Sequence, residues 1–232
     1  MERSSKDPDI TVIMPCLNEE TTIGICIEEA RRFIESNQLK GEIIIVDNAS
    51  EDASARIALS HGATLITENR RGYGRAIRTG INAASGKVLI IGDCYTTYDF
   101  LHLESMYRLI ADQRYDVIIG NRYLGGMEKG SMPLSHRMGV RFLSWCARIR
   151  FQTNVYDFHC GLRAISKKAA QQMNFQTDGM EFATEMIAIS AKIGFRIGQV
   201  PVPLRKCKYE RSSKLKAIKD GFRHLKYIIT TK

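Results

Sequence analysis

The sequence lacks any long apolar segment, which limits how the chain could meet a membrane. Uninterrupted apolar runs are short, such as Val88–Ile91, whereas a membrane-spanning helix needs about 20 apolar residues. The polar start, MERSSKDPD, also lacks the apolar stretch of a secretory signal. We therefore expect no transmembrane helix, no signal peptide and a cytoplasmic location.

Several familiar site motifs are missing as well. No two of the six cysteines form a Cys-x-x-Cys pair, so a zinc site is not expected and reduced thiols are the simplest interpretation. The Walker pattern GxxxxGK[ST] is absent, and the Gly-x-Gly at Gly72 and Gly74 lacks the third glycine of a dinucleotide-binding loop. No basic stripe with interleaved aromatic residues runs through the body, which argues against a nucleic-acid binder.

Positive charge is concentrated at one end of the chain. Residues 205–232 hold ten Lys or Arg against two acidic residues, out of a net charge of +9. Residues 1–204 hold 24 Lys or Arg against 23 acidic residues and are nearly neutral. Such an imbalance indicates a surface that meets an anion. We predict two parts, a catalytic-type domain over 1–204 and a basic tail over 205–232.

The tail has the pattern of an amphipathic helix. Its apolar residues recur at spacings of three and four, beside lysines and arginines, at Leu215, Ile218, Phe222, Leu225 and Ile229. A basic amphipathic helix of this kind can lie on an anionic membrane surface. Packing of the apolar stripe against the core is the alternative.

Strand-like and helix-like segments alternate through the first half of the chain. Helical spacing of apolar residues over residues 21–36 separates two of the apolar strands. This alternation predicts an α/β fold with a mostly parallel central sheet flanked by helices. The predicted strands are Ile10–Pro15, Glu42–Asp47, Ala63–Thr67, Val88–Ile91 and Asp116–Asn121, with an edge strand within Phe195–Leu204.

Three of these strands end at Pro15, Asp47 and Asn121, and the strand Val88–Ile91 stops at Gly92-Asp93. The carboxyl ends of parallel strands share one edge of the sheet, where open α/β folds bind ligands. One carboxylate can accept hydrogen bonds from a base or ribose, and the other can hold a divalent cation on a diphosphate. A helix-capping role for Asp93 is the plainer alternative.

The order of motifs resembles the family 2 glycosyltransferases of GT-A fold, within them the dolichol-phosphate mannosyltransferase and polyprenyl-phosphate glucosyltransferase group. The resemblance covers roughly residues 9–228. It rests on IMPCLNEE, IIIVDNASEDAS, NRRGYGRAIRTGINAASG, GNRYLGG, SHRMGVRFLS, YDFHCGLRAIS and YERSSKLKAIKDGFRHL.

The resemblance implies roles for individual residues. It implies that Asp93, Arg122 and Asp157 are catalytic and that Asp93 holds Mg²⁺ or Mn²⁺. It implies that Arg211 and Lys214 close over the diphosphate. The full set of implied substrate-binding residues is Pro15, Leu17, Glu19, Asp47, Arg75, Cys94, Tyr95, Thr97, Arg137, Arg163, Arg211 and Lys214.

One motif departs from the family pattern. Where the family has Asp-x-Asp, this chain reads Asp93-Cys94-Tyr95. A neutral phenol is a poor metal ligand, since Mg²⁺ and Mn²⁺ prefer carboxylate and phosphate oxygens. We therefore expect a weakened metal site. Asp99 could help only if the loop folds back.

The implied activity is an inverting transfer of a hexose from a UDP- or GDP-linked sugar to an acceptor. If the acceptor is a polyprenyl phosphate, it is largely dianionic at neutral pH and needs no strong general base. The protein would then lie peripherally at the cytoplasmic face of a membrane. Two alternatives stay open: a non-catalytic relative that binds nucleotide or a partner, and an ordinary enzyme whose motif carries a substituted residue.

Overall fold

Short apolar runs of the sequence form the strands of a single sheet. The computed structural model describes residues 7–207, Tyr209 and residues 217–231. Each residue of the first strand, ITVIMPC, is buried, as is each residue of VLII. The strands of the described part are β1 Ile10–Cys16, β2 Gly41–Asp47, β3 Thr64–Thr67, β4 Val88–Ile91, β5 Val117–Asn121, β6 Arg163–Ser166 and β7 Ile197–Pro201.

Helices cover the sheet and come close to it at small residues. Gly80, for example, lies directly on Ile13 and Val46, where a larger residue would not fit. The helices of the described part are α1 Ile23–Ser36, α2 Ser54–Ser60, α3 Tyr73–Ala83, α4 Glu104–Ala111, α5 Arg122–Gly125, α6 Leu134–Phe151, α7 Lys167–Ala170, α8 Phe182–Ile193 and α9 Ala217–Thr230.

The strand order is β3-β2-β1-β4-β6-β5-β7. All neighbouring pairs are parallel except those of β6, which is antiparallel to both β4 and β5. The predicted mostly parallel α/β sheet is confirmed, and β7 lies at the edge, as its prolines predicted. Strands β1, β2, β4 and β5 therefore run the same way, and their carboxyl ends share one edge.

The tail helix α9 packs against α6 and α8. Its contact face combines polar and apolar residues: Asp220, His224 and Ile228 are buried, and Arg223 pairs with Glu181 at 2.7 Å. Its apolar stripe faces outward instead, and Phe222 is 68% exposed. The alternative in which this stripe packs on the core is therefore wrong for Ile218, Phe222 and Ile229, whereas Leu225 is half-buried.

The predicted boundary between residues 204 and 205 stays a prediction. The first positions of the predicted helix, Leu215 and Lys216, lie outside the described residues. In the described ranges, no helix combines the length and the apolar character needed to cross a bilayer.

His224 links α9 to the body. Its Nδ1 lies 2.8 Å from the Thr184 hydroxyl, and its ring meets that of His159 edge-on at 4.4 Å. Burial, with the nearby charges of Arg163 and Arg223, lowers the pKa of His224 from 6.5 to about 4. The imidazole is therefore neutral at pH 7 and stabilises the packed helix in that form.

We predict that acid weakens this packing. The unfolded chain binds the His224 proton near pH 6.5 and the folded chain only near pH 4, so stability falls as pH drops between these values. The loss attributable to His224 is at most about 3 kcal/mol. His224→Gln should make the pH dependence of urea unfolding shallower by about one proton.

The control is His102→Gln, which makes the same change at a histidine whose side chain is 72% exposed, and it separates the effect of His224 from that of replacing any histidine. An identical slope in His224→Gln and the parent would contradict the prediction.

Candidate functional site

A cavity of about 190 Å³ opens at the carboxyl edge of the sheet. Four residues predicted as substrate-binding line it: Pro15, Leu17, Glu19 and Tyr95. A larger cleft of about 480 Å³ lies on the outer side of α1 and α2, but no predicted site residue lines it. The cavity at the strand ends is therefore the candidate site. The sequence predicts that the basic, glycine-rich loop with Arg71, Gly72 and Tyr73 supplies positive charge beside the strand ends, and these three residues line the cavity. It predicts no role for the other polar or loop residues of the lining, Asn48, Gly179, Met180, Asp220 and Arg223.

A buried carboxylate, Asp47, ends β2 immediately before Asn48, which lines the cavity. Asp47 is 5% exposed, and its Oδ2 accepts a hydrogen bond from the Ser50 amide at 3.3 Å. Its Oδ1 is buried and has no hydrogen-bond partner among the described residues. A buried acceptor without a partner is costly, by about 1–3 kcal/mol. This arrangement fits a donor supplied by a ligand.

Asn48 fixes the glycine-rich loop beside Asp47. Its Nδ2 donates to the carbonyls of Glu68 and Arg70, each at 2.9 Å, and its Oδ1 accepts from the Gly72 amide at 2.7 Å. The side chain thus closes the loop against β2 and brings Arg71 and Tyr73 to the cavity. In the sequence, the only sign of this arrangement is the Asp47-Asn48 pair at the end of a predicted strand.

Asp93 follows β4 in a tightly packed corner. The Tyr73 hydroxyl donates to its Oδ1 at 3.0 Å. Burial and the Asp93 charge raise the pKa of Tyr73, so the phenol keeps its proton and can donate. The other carboxylate oxygen lies against Gly161, where no side chain would fit. Asp93 is therefore held in one orientation and does not act as a helix cap.

The residues after Asp93 supply no second carboxylate at this point. Tyr95 lines the cavity, and the buried Cys94 thiol donates to the Pro15 carbonyl at 3.3 Å. The Thr97 carbonyl accepts from the Arg205 amide at 3.0 Å. Asp99 forms an ion pair with the Arg205 guanidinium and contacts His102. The Asp99 carboxylate is therefore engaged by Arg205 and His102 and does not act as a second carboxylate beside Asp93.

The donor set at Asp93 fits a metal ion only in part. Within the described residues, no group of three or more His, Cys, Asp or Glu side chains converges on one point. A cation already bound to a diphosphate can be held through one carboxylate, with phosphate and water oxygens as its other ligands. The residues fit a metal that arrives with the substrate, and a preformed ion site is absent from the described ranges.

Arg122 and Asp157 form a buried bidentate ion pair. The Arg122 Nε and Nη2 donate to the two Asp157 oxygens at 2.7 Å each, and the Arg122 amide donates to Oδ2 at 3.1 Å. Arg122 is 6% exposed and Asp157 is fully buried. The pair ties α5 to the loop before β6. Neither residue lines the cavity, so their catalytic role stays a prediction.

The structure places other predicted binding residues away from the cavity. The buried Arg163 guanidinium donates to the carbonyls of Cys160, Phe158 and Ala183, which is a structural role. Arg75 forms an ion pair with Asp178. Arg137 lies on the exposed side of α6 over the ring of Tyr123. Their roles in binding stay predictions, and Arg211 and Lys214 lie outside the described residues.

The far wall of the cavity is a loop held by acidic side chains. The buried Glu185 accepts from the amides of Gln176 and Thr177 at 2.7 and 3.0 Å. Glu181 binds Arg223 of α9, whose guanidinium lies over Gly179. The tail helix thus contributes Asp220 and Arg223 to the cavity. These positions could not be inferred from the sequence because the contact joins distant segments.

We predict that the Arg122–Asp157 pair behaves as a buried structural pair. Arg122→Met or Asp157→Leu alone leaves one buried charge and should cost about 3–5 kcal/mol in urea unfolding. The double variant should cost clearly less than the sum, because neither charge is left uncompensated.

The exposed pair Arg196–Asp116 is the matched control. Its single variants should change stability little. Additive losses at residues 122 and 157 would show that the two side chains do not act as a unit.

Comparison with known proteins gives a consistent result. The family model described as Glycosyl transferase family 2 matches residues 11–173. The low-salt glycan biosynthesis hexosyltransferase Agl6 of Haloferax volcanii is 32% identical over 223 residues, which cover 96% of this chain. The chain spans about half of that relative's length, 53%. A dolichyl-phosphate hexose transferase of the same organism is 30% identical over 197 residues, 85% of this chain and 83% of the relative.

Solved structures agree on the fold. Glucosyl-3-phosphoglycerate synthase from Mycobacterium tuberculosis, in complex with Mn²⁺ and UDP-glucose, superposes with a TM-score of 0.75. The match covers 96% of this chain and 78% of that chain at 20% identity. The predicted GT-A fold and the predicted family resemblance are confirmed, and with the family the prediction of a glycosyltransferase-type enzyme.

Proposed function

Because the chain belongs to glycosyl transferase family 2, we propose that it moves a hexose from a nucleotide-diphosphate sugar to a polyprenyl phosphate, with inversion at the anomeric carbon. The main support for the proposal is the cavity at the carboxyl edge of the sheet, which Asn48, Arg71 and Arg223 line. The Oδ1 of Asp47, the residue before Asn48, is buried without a partner among the described residues. The names of the two Haloferax relatives support a hexose as the group transferred, and one of them supports a dolichyl-type acceptor.

The nucleoside is assigned to the side of the cavity nearest β1 and β2. Pro15 and Leu17 offer apolar surface against which a base can pack. The Asp47 Oδ1, buried without a partner in the described structure, would accept an N–H of the base or an O–H of the ribose. That hydrogen bond would orient the nucleotide with its diphosphate toward Asp93.

The diphosphate is assigned to the space between Asp93 and the cations of the cavity. Arg71 and Arg223 would stabilise the negative charge that develops on the leaving nucleoside diphosphate. A Mg²⁺ or Mn²⁺ ion held by Asp93 would add to this stabilisation. Tyr95 provides no second carboxylate, so we propose that the arginines provide a larger share of the charge stabilisation. The binding of Mn²⁺ by the M. tuberculosis structural neighbour supports a metal in principle.

The acceptor phosphate is proposed to attack the anomeric carbon directly. A phosphate monoester is mostly dianionic at neutral pH and is nucleophilic without a base to deprotonate it. The site therefore has to position the acceptor and exclude water. A polyprenyl chain would remain in a lipid bilayer, which is why we also propose that the protein works at a membrane surface.

Calorimetric titration of UDP- and GDP-hexoses, with and without Mn²⁺ or Mg²⁺, tests the nucleotide and metal parts of the proposal. We expect the parent to bind one of these sugars, more tightly with metal. Tyr95→Asp should strengthen the metal-dependent binding roughly tenfold, because it restores a second carboxylate. Asp93→Asn should remove the effect of metal.

Asp112→Asn is the control, because it makes the same chemical change as Asp93→Asn at the exposed residue that follows α4. Binding restored only in Tyr95→Asp would favour a non-catalytic protein. No binding of either sugar by any variant would overturn the nucleotide assignment.

A further inference from the structure

Large apolar side chains are exposed along one side of α6. They recur at spacings of four, four, three and four residues, so they form a continuous stripe on that helix. Each is more than half exposed, and Trp145 is 56% exposed. The members of the stripe are Leu134, Met138, Phe142, Trp145 and Ile149.

A second exposed stripe lies on α9, at Ile218, Phe222 and Ile229. Helices α6 and α9 pack against each other. The Arg150 guanidinium donates to the Thr231 carbonyl, which joins the carboxyl ends of the two helices.

His159 makes a second link between the helices. Its ring contacts the Ser144 hydroxyl of α6 at 3.3 Å and meets the ring of His224 of α9 edge-on. Together with the link at the helix ends, this contact shows that α6 and α9 run side by side in the same direction. The same offset brings Met138, Phe142 and Ile149 level with Ile218, Phe222 and Ile229. We call these eight residues of α6 and α9 the two-helix apolar surface.

Cations surround this surface. Helix α6 has four arginines and no acidic residue, and the one acidic residue of α9, Asp220, is 7% exposed and turned toward the body. The exposed basic residues beside the stripes would attract an anionic partner. They are Arg137, Arg141 and Arg150 on α6 and Lys219 and Lys226 on α9.

We infer that the two-helix apolar surface docks on an anionic lipid bilayer, with both helices lying in the plane of the interface. The apolar side chains would enter the boundary between headgroups and acyl chains, and the arginines and lysines would remain at the lipid phosphates. Tryptophan is the residue most typical of this depth. The inference deepens the proposed function, which already places the protein at a membrane surface, by naming the surface that docks.

Charge argues against a second copy of the chain as the occupant. A symmetric dimer would place the same surface on both sides of the interface. The cations of one copy would then face those of the other, and like charges across an interface are costly. An anionic bilayer instead offers both a hydrocarbon region for the apolar stripes and phosphates that neutralise the cations.

Docking through α9 would also place the cavity close to the lipid. The side of α9 opposite the stripe supplies Asp220 and Arg223 to the cavity wall. Only one helix, about 10 Å across, would separate the cavity from the bilayer. The phosphate of a polyprenyl acceptor could then reach the site while its hydrocarbon chain stays in the membrane. In this respect the inference rests on the proposed function.

Trp145 provides the test, because it is the chain's one tryptophan. Its fluorescence is followed while vesicles of phosphatidylcholine, alone or mixed with phosphatidylglycerol, are titrated into the protein. We expect a blue shift and saturable binding on the anionic vesicles, with binding weaker by at least roughly tenfold on the neutral ones. Phe142→Ser combined with Phe222→Ser should lose at least roughly tenfold in binding.

The matched control is Ile25→Ser combined with Leu59→Ser, which removes exposed apolar residues from α1 and α2. This control should bind vesicles like the parent. Circular dichroism melts of both double variants verify that they fold. The inference is overturned if the parent shows no shift, if both double variants lose binding equally, or if light scattering shows a dimer that ignores vesicles.

Failure of the proposed function would be separate. A parent that binds anionic vesicles but transfers no hexose would leave the docking surface intact and reject the activity. The Phe142→Ser and Phe222→Ser double variant is also tested with a short, water-soluble polyprenyl phosphate. If it transfers hexose to this acceptor as fast as the parent does, the activity is supported independently of membrane docking.

Discussion

Parallel pairing of β2, β1 and β4 is the constraint on which the site depends. Because these strands run in one direction, Asp47 and Asp93 must emerge at the same edge, beside Pro15. The antiparallel β6 then returns between β4 and β5 and delivers Gly161 to the corner of Asp93. The cavity, its carboxylates and the loop that carries Arg71 all follow from that arrangement.

The protein separates its structural cations from its accessible ones. Arg122 is neutralised by Asp157, and Arg163 is consumed by three backbone carbonyls, so both stabilise the fold around the site. Arg71 and Arg223 are instead partly exposed and line the cavity, although each also forms an ion pair, with Glu51 and Glu181 respectively. A site with a single metal-binding carboxylate needs such cations if a diphosphate is to leave. Because Tyr95 is neutral, we expect the arginines to stabilise more of the negative charge on the leaving diphosphate. The rest of the site is retained.

The fold could be predicted well from the sequence because its strands are short, apolar and separated by helices of matching length. The shared edge followed from topology alone, so Asp47 and Asp93 were found. The partners of Arg122 could not be found, since Asp157 is distant in sequence and only the packed structure joins them. The amphipathic pattern of α9 predicted a stripe but not its direction. That direction was decided by the contacts of the opposite face, where His224 meets Thr184, Arg223 pairs with Glu181 and Ile228 is buried.

The most direct test of the account is a transfer assay. The protein is incubated with UDP- or GDP-hexose, divalent metal and dolichyl or undecaprenyl phosphate in detergent, and the lipid product is analysed by mass spectrometry and NMR. We expect a polyprenyl-phosphate hexose whose anomeric configuration is opposite to that of the donor, formed much more slowly by Asp93→Asn. Absence of lipid-linked hexose under conditions where the nucleotide sugar binds, or a product with retained configuration, would contradict it.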